Sequence, residues 1–233
     1  MKLNTKRTML VGLAFLSICI FWQMYDSVMT LILTDTFHLN ETIAGAVMAA
    51  DNVLALFLLP LFGALSDKTN TRIGRRMPYI IGGTAAAVIL MNLLPVLDNA
   101  YAASPSPLIL GLFIAALALL LVAMGVYRSP AVALMPDVTP KPLRSRGNAV
   151  INLMGAVGGI LYLALAAVLY PASRKVAGHV DYQPLFIIVS LIMAAAVLAL
   201  ALTVKEKKLS EENRALEKQH PDWNLAAKDE SGS

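Results

Sequence analysis

The sequence has few charged residues and a single cysteine. Charged side chains make up 15% of the 233 residues, against a hydrophobic content of 58%, whereas soluble domains carry about a quarter charged residues. This balance excludes a soluble globular domain and indicates an integral membrane protein. Cys19 has no second cysteine with which to pair, so no disulfide framework is expected.

Motifs for enzyme chemistry and for cofactors are also missing. The sequence has no glycine-rich phosphate loop ending in Lys-Ser/Thr, and no His-x-x-x-His or cysteine cluster that would suit a metal. No Ser/His/Asp set lies within an apolar segment. We therefore expect no enzyme, no cofactor and no metal. The positive charges follow the topology described below, so no nucleic-acid partner is expected.

Long apolar stretches are what the sequence has in abundance. Six of them are each close to the roughly 20 residues that cross a bilayer as an α-helix. Strands of a membrane barrel are the weaker interpretation, because they are about ten residues long and alternate strictly. We expect an all-α membrane protein, embedded in a lipid bilayer, with spans at about 9–34, 43–65, 79–97, 108–128, 149–170 and 184–204.

The positive charges are distributed unequally among the connections between these spans. Sixteen of the nineteen Lys and Arg residues lie at the N-terminus, in the second and fourth connections, or after residue 204. The connections 35–42 and 98–107 have none, and 171–183 has two. The positive-inside rule therefore predicts that both termini are cytoplasmic.

The connection after the second span has a marked pattern. Residues 63–78 read Gly-Ala-Leu-Ser-Asp-Lys-Thr-Asn-Thr-Arg-Ile-Gly-Arg-Arg-Met-Pro, with four cations and one carboxylate. A loop this basic crosses a bilayer with difficulty, and its aspartate can pair with an arginine. The spacing resembles the signature loop between helices 2 and 3 of the major facilitator superfamily, in the longer form found in sugar/cation symporters.

This resemblance implies a fold and a function. The fold is half of a twelve-helix transporter, with six helices arranged as two inverted three-helix repeats. The implied function is secondary active transport of a sugar or glycoside with a cation, by alternating access, across the inner or plasma membrane. Two alternatives remain open: a half-length partner or regulator that does not transport, and an exporter of amphiphilic drugs.

The resemblance also raises the question of the other half. Residues 1–204 are the expected six-helix unit, and the charged segment 205–233 is expected to be a cytoplasmic linker or tail. Either the chain is a fragment of a longer transporter, or two copies pair to complete one. The expected partners are a missing C-terminal half or a second copy, a small-molecule substrate, and a proton or sodium ion.

Three ionisable residues within the apolar spans are candidates for the chemistry. Asp26, Asp51 and Arg128 would each cost about 2.5–3.5 kcal/mol at the bilayer centre if they faced lipid. We expect them to face a polar cavity, either as a structural network or as a functional site. Two carboxylates at similar depth cannot both ionise freely, so we expect Asp26 or Asp51 to couple the cation, with a proton favoured over sodium.

Arg128 is the best candidate for binding the substrate, because its guanidinium has a fixed set of donors that suit sugar hydroxyls. The run from Tyr127 to Asp137 resembles the helix 4 segment of sucrose/proton symporters, where an arginine contacts the sugar. Pro130 departs from that pattern and can kink the helix. Four further side chains are assigned to the same cavity: Gln23, Tyr25, Asn148 and Asn152.

A second group of charges lies at the cytoplasmic ends of helices 2 and 4. It resembles the gating charges of the superfamily, whose ion pairs form and break between outward-open and inward-open states. The same arginines would set the topology in any case. The expected gate residues are Asp67, Arg72, Arg75, Arg76, Asp137, Arg144 and Arg146.

Overall fold

The computed structural model describes residues 3–171, 178–221 and 223. Within these residues the chain has no strand, and six of its helices are long and apolar enough to cross a membrane. The prediction of an all-α membrane fold with six spans is confirmed. Residue 222 and residues 224–233 of the predicted tail lie outside the described residues. The six helices are Thr5–Leu31 (α1), Glu41–Lys68 (α2), Met77–Ala103 (α3), Pro107–Val138 (α4), Arg144–Leu169 (α5) and Gln183–Thr203 (α6).

Short polar side chains begin several of these helices. Asn4 and Asn40 each accept a hydrogen bond from the backbone N–H three residues on, at 3.1 and 2.8 Å. Ser106 caps α4 in a similar way. Proline in the first turn of α3, α4 and α6 supplies a helical φ where no N–H is needed. α1 ends differently, continuing as one π-helical turn over Ile32–Thr36.

The helices pack as two matched sets of three. α1 packs on α5 and α6, and α4 packs on α2 and α3, so the first helix of each set lies against the second and third helices of the other. The third helices, α3 and α6, contact each other. Because successive spans cross in alternate directions, α1 and α4 run in opposite directions, and this is the arrangement of two inverted repeats.

Two glycines allow these helices to approach closely. A Cβ at Gly158 of α5 would lie 2.3 Å from the carbonyl oxygen of Leu16, and one at Gly83 of α3 would lie 2.8 Å from the backbone nitrogen of Tyr127. A larger residue would push either pair apart. The α1–α5 and α3–α4 crossings are therefore backbone-to-backbone contacts that depend on glycine.

The six helices are covered unequally. In the most apolar 18-residue stretch of each helix, 61% of the residues of α1 are buried inside the bundle, against 6% in α2 and 22% in α5. α2 and α5 therefore turn most of their surface away from this six-helix unit. The uncovered side of the bundle carries the polar side chains described in the next section.

The fourth helix is longer than its predicted span. It continues past Arg128 to Val138 with Pro130 inside it. Next to the proline, the Ser129 hydroxyl donates to the carbonyl oxygen of Leu59 in α2 at 2.7 Å. This bond ties α4 to α2 beside the proline. Arg128 is consequently an interior residue of a long helix and not the end of a short one.

The ends of α3 and α5 also differ from their predicted spans. α3 extends to Ala103, so Asp98, predicted to lie in an outer turn, is helical. α5 begins at Arg144, before the predicted start at 149. Polar residues at a helix end lower the hydropathy of a window although the helical hydrogen bonds continue through them. Hydropathy therefore located these spans but not their ends.

The charged segment after the sixth span folds against the bundle. Glu206–Gln219 form a further helix, α7, which packs on α4. The Asn213 side chain donates to the carbonyl oxygens of Asp137 and Thr139 at 3.2 and 3.3 Å. Over these residues the predicted linker or tail therefore includes a helix that packs on the bundle. Their polar contacts replace the apolar surface that α7 lacks.

Candidate functional site

One face of α1 carries four side chains that remain partly uncovered. Cys19, Trp22, Gln23 and Asp26 recur at intervals of three and four residues, which places them on one side of the helix. Asp26 is exposed and the other three are half-buried. Tyr25, also predicted to meet the substrate, is instead 1% exposed and packs its ring inside the bundle.

Arg128 of α4 reaches the same face of α1. Its guanidinium carbon lies 5.5 Å from the centroid of the Trp22 ring, which is a cation–π contact. It is also close enough to the Cys19 thiol to act on it electrostatically. Within the described part of the chain, Arg128 has no hydrogen bond and no ion pair. Its donors are therefore available to oxygen atoms of a ligand.

Tyr127 fixes the depth at which Arg128 lies. The Tyr127 side chain is fully buried, and its hydroxyl donates to the carbonyl oxygen of Ala14 at 2.9 Å and contacts the Ser17 hydroxyl. Because Tyr127 precedes Arg128, these bonds hold Arg128 level with the middle of α1. Sequence analysis assigned neither Ser17 nor Tyr127 to the site. The sequence feature that could have identified them is a tyrosine within an apolar span, because its buried hydroxyl needs a hydrogen-bond partner.

Asp51 of α2 lies near Asp26 of α1. Asp51 is half-buried, and its Oδ1 accepts a hydrogen bond from the Asn52 side chain at 2.8 Å. The two aspartates are close enough for their carboxylates to repel each other. Neither pairs with Arg128 in the described residues. The site therefore has two neighbouring acids and, deeper in the bundle, one cation that is separate from them.

The two predicted asparagines lie on the uncovered part of α5. Asn148 and Asn152 are exposed and four residues apart, so they share a face of the helix. Gly159 follows Asn152 by two helical turns on that same face, and a Cβ there would lie 3.8 Å from Oε1 of Gln23. This places the asparagine face beside the uncovered face of α1, with both asparagines nearer than Gln23 to the Arg144 end of α5.

These side chains form one wall with mixed chemistry, which we call the polar wall; its members are Trp22, Gln23, Asp26, Asp51, Arg128, Asn148 and Asn152. It combines a guanidinium, an aromatic face, three amides and two carboxylates. Trp22 Nε1 and the neighbouring Tyr25 hydroxyl are buried without a hydrogen-bond partner among the described residues. Such a wall can donate to hydroxyl groups, accept from them and cover an apolar ring face. In the described residues no group of three or more His, Cys, Asp or Glu suits a metal.

A network of ion pairs joins the ends of α2, α3 and α4. Asp67 pairs with Arg75 at 3.5 Å and also pairs with Arg76. Asp137 pairs with both arginines, at 2.5 and 2.9 Å. Arg76 is 5% exposed and donates in addition to the Ser66 hydroxyl. Four of the seven predicted gate residues are thus in mutual contact in this state of the bundle.

The other three predicted gate arginines lie outside that network. Arg144 pairs with Glu217 of α7 at 2.8 Å and donates to the carbonyl oxygen of Thr139 at 3.2 Å. Arg72 and Arg146 are exposed and have no ion pair among the described residues. The structure therefore divides the predicted group into a connected network, a contact to α7 and two separate cations.

Glu206, the first residue of α7, is a further element of this end of the bundle that sequence analysis did not identify. It is 0% exposed, and its carboxylate accepts hydrogen bonds from the backbone N–H groups of Arg75, Arg76 and Met77 at distances of 2.8 to 3.1 Å. α3 has no acidic residue in its first turn and no capping side chain of its own. The missing cap is the sequence feature that could have indicated a distant acceptor, because the first N–H groups of a helix need acceptors.

Known proteins share this sequence pattern. Residues 11–230 match the family model of the Major Facilitator Superfamily. A protein of Synechocystis sp. (strain PCC 6803) named as an uncharacterized symporter is 27% identical over 187 residues, which are 75% of this chain and 32% of that protein. Solute carrier family 45 member 3 of Homo sapiens is 30% identical over 176 residues, which are 73% of this chain and 32% of that protein. The chain thus spans about a third of the length of these relatives. No solved structure matches it at a significant level.

Proposed function

The chain belongs to the Major Facilitator Superfamily, and on that premise we propose that it forms one half of a secondary transporter for a sugar or glycoside. Members of the superfamily are transporters rather than enzymes. Six helices in two inverted repeats are half of the twelve-helix plan. The complete transporter would consist of this unit and a second six-helix unit, either a further segment or a second copy, facing the polar wall.

The observation that carries this proposal is the position of Arg128. A cation in the middle of a membrane helix is unfavourable by about 2.5–3.5 kcal/mol if it faces lipid. Arg128 is not neutralised by an ion pair among the described residues, and it lies against Trp22 on the uncovered side of α1. A cavity between two such units would place a substrate at these two side chains.

A sugar matches the chemistry of this position. Its hydroxyl oxygens can accept from the guanidinium fork of Arg128, and its apolar ring face can stack on Trp22. The amides of Gln23 and Asn152 can donate and accept at the same time, which suits hydroxyls that do both. Asn148, one turn further inward on α5, would meet the substrate as it leaves the cavity.

Asp26 and Asp51 are proposed to carry the coupled cation, with a proton favoured over sodium. Two carboxylates close together in a low-dielectric cavity cannot both ionise freely, which suits a site that holds one proton. One relative is named as a symporter, which supports coupling to a cation in this chain. Protonation would remove the repulsion and let α1 and α2 approach, which is the kind of local change that biases alternating access.

The ion-pair network of Asp67, Arg75, Arg76 and Asp137 is proposed to be the cytoplasmic gate. In the observed state it ties α2, α3 and α4 together, and opening toward the cytoplasm would break these pairs. With the gate on the cytoplasmic side, both termini are cytoplasmic. The membrane that the transporter would occupy is the inner or plasma membrane of the cell. The excess of Lys and Arg at this end of the bundle supports that orientation.

Uptake of radiolabelled sucrose separates this proposal from a partner that does not transport. Cells would express the chain alone and together with a second six-helix unit, and uptake would be followed with and without a pH gradient. The proposal predicts concentrative uptake that a protonophore abolishes in at least one arrangement. Failure of sucrose and of other glycosides to enter in both arrangements would refute transport of a sugar by this unit.

A further inference from the structure

A cationic cavity lies where α3 and α6 reach the membrane surface next to α7. It encloses about 400 Å³, and Arg72, Lys205, Lys207 and Lys208 line it. Glu211 is the one acid among its described lining residues. The first three cations have no ion pair or hydrogen bond within the described part of the chain, while Lys208 makes an exposed contact at 3.8 Å with a glutamate one turn on. Four positive charges against one negative charge make this cavity attractive to an anion.

An apolar groove continues from the cavity into the membrane. It encloses about 320 Å³ between α3 and α6, and the small residues Ala85 and Ala194 contribute to its lining. Ile81 and Ala201 line both the cavity and the groove, so the two spaces adjoin each other. From Ile81 to Val88 the groove runs roughly 10 Å along α3. It is formed by the two helices that do not contribute to the polar wall.

A buried hydroxyl lies in this groove without a partner. Thr84 lines the groove and is 4% exposed, and its Oγ1 has no hydrogen-bond partner among the described residues. It lies about two turns from the start of α3 in an otherwise apolar environment. Apart from this hydroxyl, the groove is lined by hydrocarbon side chains.

The fold anchors the backbone that carries two of the cavity cations. Glu206 stands between Lys205 and Lys207, and its buried carboxylate is bonded to the start of α3. The close contact depends on Gly74, which has φ +129° and whose Cβ, if present, would lie 2.1 Å from Oε2 of Glu206. The backbone of the two lysines is therefore anchored next to the start of α3 before any ligand binds.

We propose that the cavity and the groove together bind one anionic phospholipid. Its phosphate would lie against Arg72, Lys205 and Lys207, and one acyl chain would occupy the groove between α3 and α6. A soluble anion would use only the cavity, and a neutral apolar molecule only the groove, whereas an anionic phospholipid uses both. Basic pockets between membrane helices at the cytoplasmic surface are suited to such headgroups. The site is separate from the polar wall and independent of which substrate that wall binds.

Native mass spectrometry of the purified 233-residue chain tests this site with phosphatidylglycerol and phosphatidylcholine of identical acyl chains. The test variant removes three cavity cations: Arg72→Gln, Lys205→Gln and Lys207→Gln. The control variant removes three exposed cations from the same side of the bundle outside the cavity: Lys68→Gln, Arg214→Gln and Lys218→Gln. We expect the parent chain and the control to retain one phosphatidylglycerol, and the test variant to bind it about a hundredfold more weakly. Each Lys or Arg near a membrane surface contributes about 1 kcal/mol to binding of an anionic lipid, and the test variant removes three of them.

A second pair of variants tests the groove without changing the charge. Ala194→Phe fills the groove, whereas Ala195→Phe places the same ring on the neighbouring exposed residue that does not line it. We expect at least a tenfold loss of phosphatidylglycerol retention in the first variant only. Equal retention of the two lipids, equal losses in the two charge variants, no effect of Ala194→Phe, or displacement of the lipid by glycerol 3-phosphate would each overturn the proposal.

Discussion

Loss of the Glu206 carboxylate should release α7 and loosen the start of α3. In Glu206→Ala, the backbone N–H groups of residues 75–77 lose an acceptor that now lies 2.8 to 3.1 Å away in a buried position. Removal of a helix cap costs about 0.5–2 kcal/mol, and a carboxylate at a partly buried helix N-terminus contributes up to about 2 kcal/mol more. We therefore expect the free energy of opening this contact to fall by about 3 kcal/mol, which is roughly a hundredfold in amide exchange rate.

Hydrogen exchange read by mass spectrometry on the peptide covering residues 74–80 measures that effect. Glu211→Ala is the matched control, because Glu211 is an exposed glutamate of the same helix without a described hydrogen bond. Gly74→Ala should reproduce the loss of protection, since its Cβ would collide with the Glu206 carboxylate. If the 74–80 peptide of Glu206→Ala exchanges at the same rate as that of the control, Glu206 does not hold α7 and the reasoning is refuted.

Three further predictions concern packing, orientation and coupling. Gly158→Val should prevent the close α1–α5 crossing, because its Cβ would lie 2.3 Å from a backbone oxygen. We expect the melting temperature of the purified chain to fall by several degrees, and an unchanged melting temperature would contradict the packing. A cysteine at Thr71, in a Cys19→Ser background, should resist an impermeant thiol reagent in intact cells and react after lysis, and labelling of intact cells would invert the proposed topology. Asp26→Asn or Asp51→Asn should abolish sugar-driven proton movement in vesicles while leaving sugar exchange partly intact. If both variants still accumulate sugar when a pH difference is imposed, the proton is coupled at another site.

Much of the fold could be predicted because membrane helices are specified by composition. The six spans and the all-α class follow from apolar length alone. The ends of the helices could not be predicted in the same way, as α4 shows by continuing through Pro130 to Val138. Mean hydropathy does not detect contacts with other helices, such as the hydrogen bond from Ser129 of α4 to Leu59 of α2.

The charged residues of the candidate site could be predicted from the sequence, but the residues that position them could not. Arg128 stood out because a cation within an apolar span needs an explanation, and the structure places it against Trp22. Tyr25 is adjacent in sequence to Asp26, but helical geometry turns its ring into the bundle. Long-range partners such as Glu206 lie more than a hundred residues from the helix that they cap, and no local pattern contains that pairing.

The most direct test of the account is whether Arg128 acts as a bidentate donor to the substrate beside Trp22. Titration of the purified chain with a glycoside, followed by Trp22 fluorescence in a Trp223→Phe background, would report binding at a ring 5.5 Å from the guanidinium. We predict a saturable change in the parent chain and in an Arg214→Lys control, and at least tenfold weaker binding in Arg128→Lys, because lysine keeps the charge but loses the planar fork. Equal glycoside affinity in Arg128→Lys and in the control would contradict the assignment of this wall as the substrate site.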